Sequence, residues 1–395
     1  MMSTTHNLAG VIGKGMISTL GNTVAETRGA LYQPVPRLPE LPRRVATTLS
    51  LPVFEVADLA PDTGIPGGFS LQLLRHALRE ALDDAKLAGG DLAGKRVGVC
   101  MGTTVACQLN DIPFYATLRS GALPPARPLN NYIAGNPAEW IRRELGLNGP
   151  ALTISNACSS GADAIGIGLL WIRQGLCDLV IAGGTDELNR VPLVGFNALG
   201  VCAPGPCRPF DADRAGLNLG EAAGVVILAP ADAAAGDRAV CAVAGYGNSA
   251  DAFHITQPDP EGHGLERAIR LSLDSAGMIQ PGDIDFINAH GTGTPANDRV
   301  EAIVFHRLFG AAARFLSTKA LTGHTLGAAG AIECILTLLM LEESTVPASM
   351  RFERLAADMP CGPLRSPCRL PAAQWALSTS LAFGGANSAL VMRRR

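Results

Sequence analysis

Two stretches of this chain follow one pattern, and that repetition limits the fold more than any other feature. Around residue 158 the sequence runs NACSSGADAIGIGLLWIRQG, and around residue 324 it runs TGHTLGAAGAIECILTLLML. Cys158 stands three positions before Gly161-Ala162, and His324 stands three positions before Gly327-Ala328. Each stretch then continues as a run of small and apolar residues. The closing segments also match, GEAAGVVIL in the first case and GGANSALVM in the second. The chain therefore reads as two related halves, 1–230 and 231–395, with matching helix N-termini facing each other. The small residues Gly161, Ala162, Gly327, Ala328, Ala329 and Gly330 let two backbones approach closely, or simply pack a tight core. Glycine within a helix costs about 1 kcal/mol relative to alanine, and a buried helix pair tolerates that.

Within this frame, short β-like runs alternate with helical ones. Strands are predicted at 97–100 (VGVC), 178–184 (DLVIAGG), 224–228 (GVVIL) and 286–290 (FINAH), and a helix at 71–85. Such alternation predicts an α/β fold with largely parallel sheets. Apolar residues make up 47% and charged residues 17%, which suits a chain with much buried surface. A net charge of −3 gives no basic footprint for nucleic acid. The longest apolar run, AIECILTLLML at 331–341, is too short to span a bilayer, so no membrane span is expected. The N-terminus does not join a basic start to an apolar run, so no signal peptide is expected. The ten cysteines form no CxxC pair, and neither Cys202 with Cys207 nor Cys361 with Cys368 has zinc-like partners nearby. Most of the ten read as small buried hydrophobes of a cytoplasmic protein, and no metal site is expected.

A few residues sit where chemistry is plausible. Cys158 follows a strand-like stretch and opens a helix. Unpaired backbone N–H groups at a helix start favour the thiolate, and a turn there exposes the side chain. A buried structural cysteine is the competing reading. His290 (NAHGTGTPAND) and His324 (STKALTGHTLGAAG) both lie in Gly- and Thr-rich turns. One cysteine with two such histidines makes a nucleophile and an electrostatic pair, or three ordinary core residues. Lys319 lies among small apolar neighbours, which points to partial burial in a polar network. Asp298 and Glu301 are placed to anchor Lys319 or to cap the helix that begins there, a supporting role rather than direct chemistry. Phe383 precedes Gly384-Gly385, a turn whose N–H groups can point inward as an oxyanion site, or an ordinary tight turn.

Together these motifs resemble the β-ketoacyl-acyl-carrier-protein synthase family, of the elongating type, within the thiolase superfamily. NACSSG resembles the nucleophile motif, and HGTGTPAND, STKALTGHTLGAAG and AFGGANS resemble three further signatures. RPFDADRAGLNLGEAAG and AGVIGKGMISTLG resemble the connector and the opening strand, so the likeness spans almost the whole chain in order. The resemblance implies a thiolase-like fold of two pseudo-symmetric α/β halves in α-β-α-β-α layers. It also implies that Cys158 takes an acyl group as a thioester, while His290 and His324 assist decarboxylation of malonyl on carrier protein. The carbanion then attacks the thioester in a Claisen condensation, as in fatty-acid or specialised polyene or polyketide-like lipid synthesis. The N–H groups of Cys158 and Phe383 would hold the thioester oxygen. Lys319 and Glu301 would tune the histidines, with Asp298 beside Glu301. Phe383 would also gate the acyl pocket, and Phe196 would line it. No cofactor is implied beyond the phosphopantetheine arm of acyl carrier protein, the expected partner. A homodimer is implied, or a heterodimer with another synthase subunit, in which a mainly structural role is the alternative.

Thiolases use a second catalytic cysteine, starter-unit synthases pair His with Asn, and chain-length factors lack the nucleophile. This chain has Cys158 and places His324 at the second position. It departs from the family pattern at 31–51, at the shortened stretch 201–207, at Ala215 where an acid is usual, and in GTTVACQLN after Met101. In the family these regions shape the acyl pocket and the dimer contact, so the resemblance implies that the departures bear on substrate choice.

Overall fold

The computed structural model describes residues 8–395 apart from 34, 58, 60–67, 105–111, 127–135 and 234–235. Its strands are β1 (Ala9–Ile17), β2 (Val97–Gly102), β3 (Ala151–Ile154), β4 (Leu179–Asp186), β5 (Ala222–Pro230), β6 (Cys241–Ala250), β7 (Phe286–Asn288), β8 (Phe315–Leu316), β9 (Thr345–Val346), β10 (Cys368–Arg369), β11 (Trp375–Ala382) and β12 (Ala386–Arg394). A ten-stranded sheet runs β3-β2-β4-β5-β1-β6-β12-β11-β7-β8, and β9 pairs with β10 apart from it. The strands expected at 97–100, 178–184, 224–228 and 286–290 are β2, β4, β5 and β7.

The repeat is written into this order. The first five strands run β3-β2-β4-β5-β1, and the next set repeats the arrangement as β8-β7-β11-β12-β6. The two sets join where Ala9 and Gly10 of β1 face Val243 and Ala242 of β6.

The sheet is mixed, not largely parallel. Strand β2 runs parallel to β3 and β4, and β7 runs parallel to β8 and β11. The pairs β4–β5, β5–β1, β1–β6, β6–β12 and β12–β11 are antiparallel. The central antiparallel strands β1, β5 and β12 are buried on both faces almost end to end. They lack the apolar-polar alternation of a half-exposed strand and read like parallel ones.

Six helices matter to the site: α1 (Gly68–Asp84), α2 (Ser160–Arg173), α3 (Arg190–Ala198), α4 (His263–Ser275), α5 (Pro295–Phe309) and α6 (Ala329–Glu343). The helix predicted at 71–85 is α1. It covers the outer face of β1 and β5, while α4 covers β6 and β12. Between the two sets of strands, α2 and α6 pack on each other, which completes the α-β-α-β-α layering. Helix α6 is buried continuously from Ala329 to Leu341, as a helix apolar on all sides requires. Each fully buried Ile or Leu on it stabilises the fold by about 1.5–3 kcal/mol.

Glycines set the layer spacing in both halves alike. A Cβ at Gly15 of β1 would lie 2.0 Å from the Ala77 carbonyl of α1, and one at Gly247 of β6 would lie 2.2 Å from the Ala268 carbonyl of α4. In the centre, a Cβ at Gly330 would lie 2.6 Å from the Ala162 nitrogen. The close approach of α2 and α6 therefore depends on glycine. Among the described residues, no helix is long and apolar enough to cross a membrane.

Candidate active site

Cys158 lies in a 3-10 turn, Ala157–Ser159, that leads into α2. Ala157 holds φ at 47°, a left-handed conformation costly for a residue with a side chain. The second half repeats this turn at Leu326–Ala328, where Leu326 holds φ at 54° before α6 begins. The structural repeat thus matches Ala157 to Leu326, Cys158 to Gly327 and Gly161 to Gly330. The sequence reading matched Cys158 to His324, out of step by three residues, because GAAGA contains two Gly-Ala pairs. His324 is therefore not the positional twin of Cys158 but reaches it from the preceding turn. Its backbone N–H donates to the Asn218 carbonyl at 2.7 Å, and its carbonyl accepts from Gly220 N–H at 3.0 Å.

His324 Nε2 lies 3.0 Å from Cys158 Sγ. The His290 ring stands edge-on to the His324 ring, with centroids 5.2 Å apart. All three residues line one cavity of about 250 Å³, together with Phe196, Val201, Leu217 and Phe383. Phe196, carried by α3, stacks on Phe383 at 5.2 Å and 15°. Phe383 lines the cavity beside Cys158. The turn after it takes positive φ at Gly384 (89°) and Gly385 (79°), which glycine allows without strain.

Lys319, 1% exposed, pairs with the equally buried Glu333. Its ammonium also donates to the His290 carbonyl at 2.6 Å and meets His290 Nδ1 at 3.1 Å. An ammonium only donates, so Nδ1 accepts and the His290 proton sits on Nε2.

Burial governs the electrostatics. It pushes the Cys158 thiol up to about 12, against the pull of Lys319 and the Phe383 N–H. Burial, and then Lys319, hold both His290 and His324 well below the usual imidazole range. The resting pair is a neutral thiol beside a neutral imidazole. At this buried sulfur desolvation works against any lowering of the thiol by its helix start. Cys158, His290 and His324 are also buried rather than exposed by their turns, at 4%, 3% and 2%.

Sequence models described as "Beta-ketoacyl synthase, N-terminal domain" and "Beta-ketoacyl synthase, C-terminal domain" match residues 69–234 and 240–353. Nodulation protein E of Rhizobium sp. (strain N33) is 34% identical over 80% of this chain and 80% of its own. A 3-oxoacyl-[acyl-carrier-protein] synthase 2 of Staphylococcus aureus (strain N315) is 32% identical, again over 80% of both chains. The solved ishigamide ketosynthase/chain length factor superposes with a TM-score of 0.91 at 31% identity, over 98% of this chain and 99% of that one. A ketosynthase in complex with its chain length factor from Xenorhabdus doucetiae gives 0.86 at 32%, over 100% of both chains.

The chain belongs to the β-ketoacyl synthase family. It is a condensing acyltransferase with the thiolase fold.

Two expected anchors of the synthase lie elsewhere than foreseen. Neither Asp298 nor Glu301 holds Lys319, and neither caps α5; Glu333 takes the lysine instead. Glu301, pushed up to about 7 by burial, accepts from the N–H groups of His290 at 2.8 Å and Gly291 at 2.6 Å. Asp298, pushed up to about 6 by burial, accepts from Phe210 N–H at 2.6 Å and Gly293 N–H at 3.1 Å. From α5 the two carboxyl groups pin the loop that carries His290.

Glu333 escaped the sequence reading, yet it left a signal. A single acid within AIECILTLLML has to find a buried cation. Asp186 escaped it too: its carboxylate accepts from Thr103 Oγ1 at 2.7 Å, Thr104 N–H at 2.9 Å and Gly327 N–H at 2.6 Å. It ties the end of β2 to the turn opening α6. Of the departures, 31–51 sends Val45, Leu49 and Leu51 onto the cluster beside Phe196. Most of the stretch after Met101, at 105–110, lies outside the described residues.

Proposed function

We propose that this synthase elongates an acyl chain held as a thioester on Cys158, using malonyl delivered on acyl carrier protein. The observation that carries the reading is the 3.0 Å approach of His324 Nε2 to Cys158 Sγ in the cavity that also holds His290. The Cys158 sulfur attacks the acyl thioester of the carrier arm. The C–S bond to the pantetheine breaks, and that thiol leaves with the proton released from Cys158. Phe383 N–H and Cys158 N–H stabilise the oxygen on which charge develops. Malonyl then loses its carboxylate as CO₂, and the enolate oxygen is held by N–H donors of His290 and His324. The enolate carbon attacks the Cys158 thioester, the new C–C bond forms, and the cysteine sulfur is released. A neutral imidazole can donate such a bond, and burial keeps both rings neutral. The reaction needs no bound cofactor, since both acyl groups arrive on phosphopantetheine.

Phe196, Val201, Leu217, Leu381 and Phe383 give the cavity an apolar side that suits an unsubstituted or conjugated chain, beside polar residues such as Asp251, Thr256 and Asn297. Likeness to ketosynthase and chain length factor pairs supports a specialised polyketide or polyene-type pathway. It also supports pairing with a second synthase-fold chain, another copy or a distinct subunit. The edge strand β3 favours such pairing, because its Ala151 and Leu152 are exposed, Leu152 at 42%. Acyl and malonyl carrier protein supplied together yield a β-ketoacyl product two carbons longer, and Cys158→Ala abolishes it. Product formed undiminished by that variant refutes the reading. Product formed only after a second synthase-type chain is added assigns a heterodimer.

A further inference from the structure

Asp163 lies on α2, five residues past Cys158, and is buried. Both of its oxygens are engaged. Oδ2 accepts from Asn156 Nδ2 at 2.8 Å and Ser159 Oγ at 2.8 Å, two donors that flank Cys158 in the chain. Oδ1 accepts from the Tyr246 hydroxyl at 2.9 Å and from the Ser388 hydroxyl. Tyr246 belongs to β6 and Ser388 to β12, both in the second set of strands. Strand β12 starts at Ala386, directly after the turn of Phe383, which lines one cavity with Cys158. One carboxylate thus touches both the turn that carries Cys158 and the strand that leaves Phe383.

Packing does not require an acid here. The structural repeat matches Asp163 to Ile332 on α6, and that position is filled by an apolar side chain in the same architecture. A buried carboxylate held by four neutral donors is costly to desolvate, so an acid in place of an apolar residue calls for a further reason. Backbone strain alone does not supply it, since Leu326 keeps a φ of 54° in the repeated turn with Ile332 in that place; the Cys158 turn differs in carrying the sulfur. Asn156 and Ser159, the residues on either side of Ala157-Cys158, are the ones Asp163 holds.

We propose that Asp163 is a positioning residue that fixes the separation between the Cys158 turn and Phe383, so that one N–H donor from each half converges on a single acyl oxygen. The proposal rests on reading Cys158 as the acyl carrier. Both donors are backbone groups, so they can be moved only by moving the chain. Asp163 is the brace that ties the two pieces of chain together. A displacement of about 1 Å at such a site lowers the rate on the order of 100-fold.

The test compares Asp163→Asn, Ser159→Ala and Ser388→Ala with the wild-type chain. Three quantities are read: single-turnover loading of Cys158 from acyl carrier protein, steady-state kcat and KM for malonyl carrier protein, and the thermal midpoint. Asp163→Asn is expected to lower loading and kcat by about 100-fold with KM little changed. The two serine variants, each losing one hydrogen bond, are expected to lower kcat by a smaller factor at near wild-type midpoints. They keep the question open to test if Asp163→Asn fails to fold. Loading and kcat that match wild type in the folded serine variants overturn the proposal. So does a loss in any variant that only follows the folded fraction. A wild-type chain that never loads is a separate result and removes the nucleophile reading itself.

Discussion

Replacing Lys319 by methionine separates what the buried ion pair does for the fold from what it does for the reaction. Lys319 and Glu333 are each 1% exposed, and the ammonium also bonds the His290 carbonyl and Nδ1. Removing one partner of such a pair costs about 3–5 kcal/mol, because the other charge is stranded. Glu333 can escape part of this by taking a proton, since burial already pushes its carboxyl up to about 7. Without Lys319 that value rises further above the unfolded value of about 4.3. The folded state then binds more protons than the unfolded one across the window between them, so stability falls as pH rises. The deficit of Lys319→Met is therefore smaller at pH 6 than at pH 8. Adding Glu333→Leu removes the stranded acid and returns most of the lost stability. Catalysis follows a different course. Without the ammonium, His290 Nδ1 loses its donor, Nε2–H is no longer fixed, and malonyl decarboxylation falls by about 100-fold. It stays low in the double variant. Urea unfolding at both pH values gives the stability and CO₂ release gives the rate. A double variant no more stable than Lys319→Met, or one whose decarboxylation recovers with its stability, refutes the reasoning.

Three further outcomes follow from the packing and the titrating groups. Gly330→Ala forces a Cβ to within 2.6 Å of the Ala162 nitrogen and should destabilise the synthase by about 1–3 kcal/mol in thermal unfolding; Gly29→Ala, whose Cβ meets nothing within 4 Å, should not. His290 and His324 lie well below 6.5, so both stay neutral as pH falls through that value. The acid limb of the condensation rate should then appear below it, and an ordinary histidine midpoint near 6.5 would contradict this. The Cys158 thiol is pushed up to about 12, so its alkylation by iodoacetamide should keep accelerating with pH past 9, where an unperturbed cysteine levels off. A plateau by pH 9 would mean that the thiolate is stabilised after all.

Periodicity carried the strands and α1 well, because short buried runs bounded by glycine are local signals. It could not carry strand direction. Strands β1, β5 and β12 are buried on both faces, and a run without alternation says nothing about its neighbour's polarity. The two-half organisation was legible, but its register was not. GAAGA offers two Gly-Ala pairs, and only the matching turns at Ala157 and Leu326 choose between them. Cys158, His290, His324, Lys319 and Phe383 were readable because each sits in a Gly-rich or small-residue segment with a distinctive sequence. Partners within the network were harder to read. Glu333 lies on a different element from Lys319, and Asp163 joins residues that are 83 and 225 positions away. Such pairings exist only once the sheet and the central helices are assembled. The same assembly buries the Cys158 sulfur and so sets desolvation against the helix start, a balance that the local sequence does not carry.

Intact-mass measurement of the protein after brief exposure to acyl carrier protein bearing an acyl group bears most directly on the claim that the Cys158 sulfur carries the chain. A mass increase equal to one acyl group, mapped to the peptide containing Cys158 and discharged on adding malonyl carrier protein, is the predicted result. An acyl group found on a different cysteine, or one that malonyl carrier protein leaves in place, would contradict the account.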